Sequence, residues 1–333
     1  MPAVGLFFLA PLVGEYLLGS LAVTELLGLM SVAPLYGGGA ILIREAARRL
    51  HLGWPGIVLL ALCYAIVEEG LILHTLFNPD ALGLGLLEYG HIGALGTSAW
   101  WTTYVLTIHT VWSIAVPIAL MEALTTRNRL DPWLSRRWTA VVTLLFLSGC
   151  ALTFAYFQEE YPYRLSPPQW AGSLCAIAGL VAVAFWLRHR PRRTPVPRTP
   201  PSQMAVGTTF FALGSTFMLL LLAAVALGGA IPGLELSGRI SDEVPAWVIV
   251  VGQVTVIVVG AVALVRWSRR SRWGDTHRTA VAAGLLLAYA WYGVVQQMLA
   301  DDARAVDIAG NVTLALGAVA LAEVAMRRAS RSE

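Results

Sequence analysis

The chain has 333 residues, 57% hydrophobic and 13% charged, with a formal net charge of +3 and a mean hydropathy of +0.68. Soluble domains carry about 25% charged and about 45–50% apolar residues, so there is too little polar side chain here to cover a water-facing surface. That excludes a soluble two-domain protein, a disordered chain, a secreted disulfide scaffold and a nucleic-acid-binding module, and it makes the lipid bilayer the expected partner. Cys63, Cys150 and Cys175 all lie in apolar runs without CxxC spacing, and read as buried thiols, neither bridges nor metal ligands.

A helix needs about 20 predominantly apolar residues to span a bilayer. Ten stretches qualify: 4–26, 28–47, 54–77, 99–123, 138–157, 169–187, 205–229, 245–265, 279–298 and 308–326. The expected fold class is therefore all-α, a polytopic membrane protein of about ten transmembrane helices. The first stretch holds Glu15 at its middle; no basic region precedes it, so it is not read as a cleavable signal. The second contains Gly37-Gly38-Gly39, which lets another helix approach closely, and ends at Arg44-Glu45, where Arg44 is expected to snorkel to the interface. The third holds Glu68-Glu69, with His74 and Asn78 near its outer rim. The fourth holds Thr102, His109 and Ser113, and Glu122 near an interfacial end.

Every basic residue is Arg. With the N-terminus inside, only Arg164, Arg239 and Arg304 fall outside, while Arg44, Arg48, Arg127, Arg129, Arg192, Arg193 and the rest lie inside. The positive-inside rule predicts this bias, so both termini are expected to be cytoplasmic and the protein to be multi-pass in the cytoplasmic membrane. The outer loops are correspondingly acidic, with Asp80, Glu159 and Asp301-Asp302. Residues 188–204 are rich in Pro and Arg; Pro denies them a helix and charge denies them a core. They read as a cytoplasmic linker between a six-helix N-terminal bundle (1–187) and a four-helix C-terminal bundle with a short basic tail (205–333).

Ionisable side chains deep in a bilayer are costly and mark functional sites. At 1.5 Å rise per residue, Glu15, Glu68/Glu69 and His109 each lie roughly 13–16 Å from the outer end of their helix. Three helices thus bring acids and an imidazole to one depth. Thr102, His109 and Ser113 share a face, at i, i+7 and i+11. Glu68 and Glu69 point about 100° apart, so both are not expected to face one neighbour. Two carboxylates in a medium of low dielectric do not both ionise readily, so the pair is expected to share a proton, which an imidazole can accept or return. Glu68, Glu69 and His109 are the candidate catalytic set; Glu15, Thr102, Ser113, His74 and Asn78 are candidate substrate contacts. HExxH is absent and one His lies at the common depth, so no metal and no cofactor is expected.

A paired Glu in one membrane helix followed by His in the next resembles the clan of glutamic intramembrane proteases. That clan includes the CPBP family (CAAX-prenyl and bacteriocin-processing proteases) and the PrsW-like proteases. Its pattern is EExxxR, then FxxxH, then a further His or Asn. Glu68-Glu69 matches the paired acids and His109, four residues after Val105, the first His. Leu73 stands in the place of the Arg and Val105 in that of the Phe, and Asn311 is the candidate last element. The resemblance covers about 54–123. It implies a peptidase in which Glu68 activates water, Glu69 partners it and His109 holds or polarises the water, acting on a membrane peptide or small molecule. Two other readings are open: a proton-coupled transporter carrying its proton on Glu68/Glu69, and an inactive membrane scaffold.

Overall fold

A computed structural model describes residues 2–125, 130–190, 196–227, 244–300 and 304–332. Arg127, Arg129, Arg192, Arg193, Arg239, Asp301 and Asp302 lie outside the described residues, as do the end of the seventh predicted span and part of the predicted linker. The described chain is almost entirely helical. Helix α1 (Pro2–Pro11) runs into a π-helical segment, Leu12–Leu17; a 3₁₀ turn, Val23–Gly28, leads into α2 (Leu29–Arg49). Helix α3 (Gly53–Ile66) likewise continues as a π segment, Val67–Ile72. Helix α4 (Ala99–Ile108) passes through a third π segment, His109–Ala115, into α5 (Val116–Leu124). Then come α6 (Arg136–Glu160), α7 (Pro167–His189), α8 (Gln203–Leu227), α9 (Ala246–Ser268), α10 (Asp275–Leu299) and α11 (Ala305–Ser332).

Nine of these helical stretches are long and apolar enough to cross a membrane. The predicted first span, 4–26, does not extend that far: its apolar helix is Pro2–Leu17, and the chain turns at Gly19 with φ +86° before the 3₁₀ turn. The third, 54–77, stops at Ile72, after which the chain turns through residues 73–77; the described parts of the remaining predicted spans coincide with observed helices to within a residue. Local signals set several starts. Ser98, Ser135 and Ser166 each accept a backbone N–H of the first turn of α4, α6 and α7, the usual role of an N-cap hydroxyl. A two-stranded hairpin, β1 (His91–Ile92) with β2 (Thr97–Ser98), precedes α4 in antiparallel register His91↔Ser98.

The distribution of apolar surface fits a bundle in lipid. Helices α6, α7 and α9 bury only 11% of their most apolar window, whereas the α4–α5 rod buries 72% and α10 61%. The outer helices are apolar toward lipid and the inner ones toward each other. One apolar core joins residues on both sides of the 188–204 segment, including Val13, Trp112, Phe217, Leu286, Tyr289 and Ala322. Trp112 stacks on Tyr289 with ring centroids 5.1 Å apart. The described part of the linker is docked on the α9–α10 turn: the Val196 N–H donates to Arg269 O at 2.8 Å and Ser271 N–H to Val196 O at 3.0 Å.

The triple glycine of α2 serves three contacts. A Cβ on Gly37 would lie 2.0 Å from the Phe7 carbonyl of α1, one on Gly38 3.1 Å from Phe146 of α6, and one on Gly39 2.5 Å from the Tyr64 ring of α3. Pro11 has no N–H to give the Phe7 carbonyl four residues earlier, and it is against that carbonyl that Gly37 packs.

At the end of the bundle carrying the C-terminus of α2 lies a buried charge network. Arg44 does not snorkel; it is fully buried, contacting Glu122 at 3.2 Å and Glu45 at 2.9 Å, with its guanidinium 3.4 Å from the centroid of the Trp133 ring. Glu122 is buried rather than interfacial, because Arg48 also donates to both of its oxygens. The network ties α2 to α5 and to the start of α6.

Candidate functional site

The three π segments coincide with the costly polar residues. Leu12–Leu17 carries Glu15, Val67–Ile72 carries Glu68 and Glu69, and His109–Ala115 carries His109 and Ser113. π turns are rare and concentrate at functional sites. Their causes are partly legible. Pro11 precedes the first and Pro117 follows the third, each removing one donor from the α ladder, and Gly70, a weak helix former, sits in the second.

Both acids of α3 converge on one imidazole. Nε2 of His109 lies 2.8 Å from Glu69 Oε1 and Nδ1 lies 3.0 Å from Glu68 Oε2. The expectation that adjacent carboxylates diverge is thereby corrected. The widened turn changes their angular spacing, and an imidazole offers a nitrogen on each side of the ring. All three side chains are buried: Glu68 0% exposed, Glu69 3% and His109 5%.

The two acids are not equally paired. Glu69 also accepts a hydrogen bond from the Thr75 hydroxyl. Glu68 has no well-formed hydrogen bond on either oxygen among the described residues: Oε2 is ion-paired with His109 Nδ1 at 3.0 Å, the Tyr36 and Tyr64 hydroxyls are its polar neighbours, and Nδ1 is also within 3.3 Å of Ser113 Oγ. Buried polar atoms are nearly always satisfied in native proteins, so a carboxylate with no well-formed hydrogen bond is where a further donor, such as a water, fits. The Tyr64 hydroxyl, one turn before Glu68 on α3, is likewise buried and unpartnered.

Glu15 joins the cluster through Tyr36, whose hydroxyl donates to Glu15 and whose ring centroid is 5.8 Å from that of His109. Gly14, beside it, leaves only enough room for Ser113 and Tyr36: a Cβ there would lie 2.9 Å from Ser113 Oγ. Glu15, Glu68, Glu69, His109 and Ser113 are therefore brought together, as the sequence suggests.

Four other candidates are not. Thr102 hydrogen-bonds Thr97 at 2.8 Å, about 10 Å along the helix from His109 at 1.5 Å rise. Asn78 donates to the Tyr161 carbonyl at 3.1 Å and accepts from Asp80 N–H at 3.0 Å, holding the turn after α3 to the end of α6. His74 lies between Phe154 and Tyr163 with Nδ1 3.1 Å from Gln158 Nε2. Its backbone is left-handed, φ +61°, an uncommon conformation outside glycine; burial holds its imidazole below the ordinary value. Asn311 donates to the Gly293 carbonyl at 2.9 Å, bracing α11 on α10.

Sequence reasoning missed Tyr36 and Thr75. Tyr36 had a signal, a polar aromatic immediately before the triple glycine that brings α1 close. Thr75 had none; its role depends on the chain folding back after Ile72.

Three donors, one each from Glu68, Glu69 and His109, lie within 4.8 Å of one another, close enough to hold one water. Over residues 5–330 the chain matches the family described as an uncharacterized membrane protein family. No curated protein and no solved structure matches it.

Proposed function

The chain belongs to that uncharacterized membrane protein family, and we propose that it is an intramembrane hydrolase, a glutamic-type peptidase acting on membrane peptides. The observation that carries the reading is the convergence of Glu68 and Glu69 on His109, with neither Glu68 oxygen in a formed hydrogen bond among the described residues. A water bound to Glu68 beside its 3.0 Å contact with His109 satisfies the carboxylate and is oriented by the ring. Glu68 takes a proton from that water as its oxygen bonds to the substrate carbonyl carbon; when the C–N bond breaks, the same proton passes to the leaving amine. Glu69, fixed by Thr75, holds His109 in position. Dry, buried surroundings strengthen each of these interactions.

The cluster draws its residues from α2 and from the π segments that follow α1, α3 and α4, with Thr75 just beyond the second. That favours a one-sided catalytic site over proton-coupled transport, in which acids lie between two related bundles. The Arg-rich end is assigned to the cytoplasmic side of the cytoplasmic membrane by the positive-inside rule. The resemblance to the glutamic intramembrane proteases supports the same chemistry, with Leu73 replacing their Arg and the hydroxyls of Tyr36 and Ser113 as the polar neighbours.

The test compares membrane-fraction peptides of the native host carrying the wild-type chain, Glu68→Gln or His109→Ala at equal expression. The reading expects at least one membrane precursor to accumulate intact in both variants. Indistinguishable peptide profiles would overturn it.

A further inference from the structure

We propose that the hollow between the docked linker, the start of α8 and the α9–α10 turn binds a phosphate group, presented by an anionic phospholipid headgroup or as a soluble phosphate. The hollow shares no residue with the cluster of Glu68, Glu69 and His109, so its ligand is independent of the hydrolase reading.

Pro197, Pro200 and Pro201 deny a helix to the segment before α8, yet that segment is held in place. Besides the Val196 backbone bonds, Arg270 Nη1 donates to the Thr199 carbonyl at 3.1 Å and the Ser271 hydroxyl to the Arg198 carbonyl at 3.3 Å. This docking leaves a hollow of about 460 Å³, walled by Pro200, Pro201 and Met204 and reached by Ser202, Arg272 and His277. Two membrane-crossing helices, α8 and α10, begin at it. It therefore sits where the apolar spans end, at the level of lipid headgroups.

The hollow is lined by donors and by no carboxylate. Ser202 caps α8, its Oγ accepting the Ala205 N–H at 3.2 Å. The N–H groups of Gln203 and Met204, in the first turn, have no partner within the helix, and the positive end of a helix dipole favours phosphate. Arg272 is exposed and its backbone is left-handed, φ +69°, a costly conformation that concentrates at ligand sites. Its guanidinium matches phosphate oxygens. Asp275, close by in sequence, is paired with Arg278 and lines a different hollow.

The second observation is His277. The residue is 8% exposed, and its ring stacks on Trp273 with centroids 5.0 Å apart. Nδ1 accepts the Gly274 N–H at 3.4 Å, which puts the ring proton on Nε2. Nε2 makes no hydrogen bond among the described residues, and the ring lines the hollow. A buried donor is rarely left unsatisfied. Water alone would satisfy it, but water does not call for an arginine in left-handed backbone beside it and a hollow free of acids. An anion with several acceptor oxygens uses the imidazole, the guanidinium and the helix N-terminus together.

The experiment uses the full chain, delipidated in a neutral detergent, with two probes. Labelled inorganic phosphate is followed by equilibrium dialysis; phosphatidylglycerol, against phosphatidylcholine, is added in mixed micelles and counted by native mass spectrometry. The expected result is one saturable phosphate group per chain. Phosphatidylglycerol bound one per chain where inorganic phosphate is not assigns the site to a lipid headgroup. Inorganic phosphate that binds and is not displaced by that lipid assigns it to a soluble phosphate. Arg272→Gly removes the guanidinium while easing the left-handed backbone, and His277→Phe keeps the stack on Trp273 without the donor; each should weaken binding at least tenfold. Arg266→Gln, at an exposed arginine of α9 outside the hollow, should leave it within twofold. Circular dichroism checks that each variant is folded. Absence of one-per-chain binding with both probes overturns the proposal. So does undiminished binding in Arg272→Gly, and so does equal weakening by Arg266→Gln, which would mean attraction to the basic surface as a whole.

Discussion

Replacing each of two adjacent glutamates by leucine should change stability in opposite directions. Glu69 has two partners, His109 Nε2 at 2.8 Å and the Thr75 hydroxyl. Leucine there leaves two buried donors without acceptors, at about 1–3 kcal/mol each, so Glu69→Leu should cost upward of about 2 kcal/mol. Glu68 has no formed hydrogen bond on either oxygen among the described residues, so Glu68→Leu removes two acceptors without breaking one. Its 3.0 Å contact with His109 Nδ1 is lost, but that nitrogen keeps Ser113. The net effect should lie between no loss and a gain of about 2 kcal/mol, since deleting an unsatisfied buried group is neutral or favourable. The assay is reversible unfolding in mixed micelles with increasing SDS, followed by circular dichroism. Both variants should abolish processing, so Glu68→Leu is more stable and inactive, as expected where function is maintained against stability. A loss of about 2 kcal/mol or more in Glu68→Leu, equal to that in Glu69→Leu, would refute the claim that Glu68 makes no hydrogen bond in the resting protein.

The charge network around Arg44 should be strictly structural. Glu122→Ala leaves Arg44 and Arg48 buried without their shared acceptor and should cost about 3–5 kcal/mol, read in the same unfolding assay; a loss below about 1 kcal/mol would show that the pairs are solvated. Gly37→Ala puts a methyl 2.0 Å from the Phe7 carbonyl, where C···O contacts are ordinarily about 3.3–3.6 Å. It should move α1 by about 1 Å, cost about 1–3 kcal/mol and lower processing through Glu15, whereas Gly93→Ala, with open space around it, should do neither. His74 lies beyond the Gly53–Ile72 span, and burial lowers its folded pKa from the ordinary 6.5. The folded state then prefers the neutral ring, so its contribution is complete above pH 6.5 and declines as pH falls from there toward the lowered folded value. His74→Asn, which also tolerates the left-handed backbone, should flatten that slope; an unchanged slope would assign it to another group.

The spans were legible because lipid imposes one simple requirement, a long apolar run with its backbone bonded internally. The exception was informative. The first run ends at Leu17 because Gly19 turns the chain, and an apolar count cannot see a turn made by one glycine and one serine. The meeting of Glu15, Glu68/Glu69 and His109 was anticipated, but not by sound depths: the counts ran from residues 26 and 77, whereas the helical segments end at Leu17 and Ile72. Angle was not legible, because the count assumed 100° per residue through segments that are π-helical. Thr102 failed for another reason: regular α-helix joins it to His109, but about 10 Å of rise separates them, and its partner is Thr97. Arg44 and Glu122 were misread for a different reason. Each alone belongs at an interface, and only their meeting across α2 and α5 permits burial.

That failure of the angular rule bears on the site itself. A π turn gives up regular α hydrogen bonding and persists only where something offsets the loss. Here three such turns meet in one bundle, and each carries the acidic or imidazole side chains that lipid most disfavours. A cluster kept for packing would be cheaper as leucines on unbroken helices, since replacing buried ion pairs by apolar residues is often neutral or stabilising. The backbone is instead widened where it aims Glu68 and Glu69 at the two nitrogens of His109, and Glu68 is left without a hydrogen-bond partner at the end of it. Restoring α geometry by deleting one residue from Val67–Ile72 should therefore preserve the span and separate the carboxylates. Such a variant that stays folded and keeps processing would break the link between the widened turns and the chemistry argued for them.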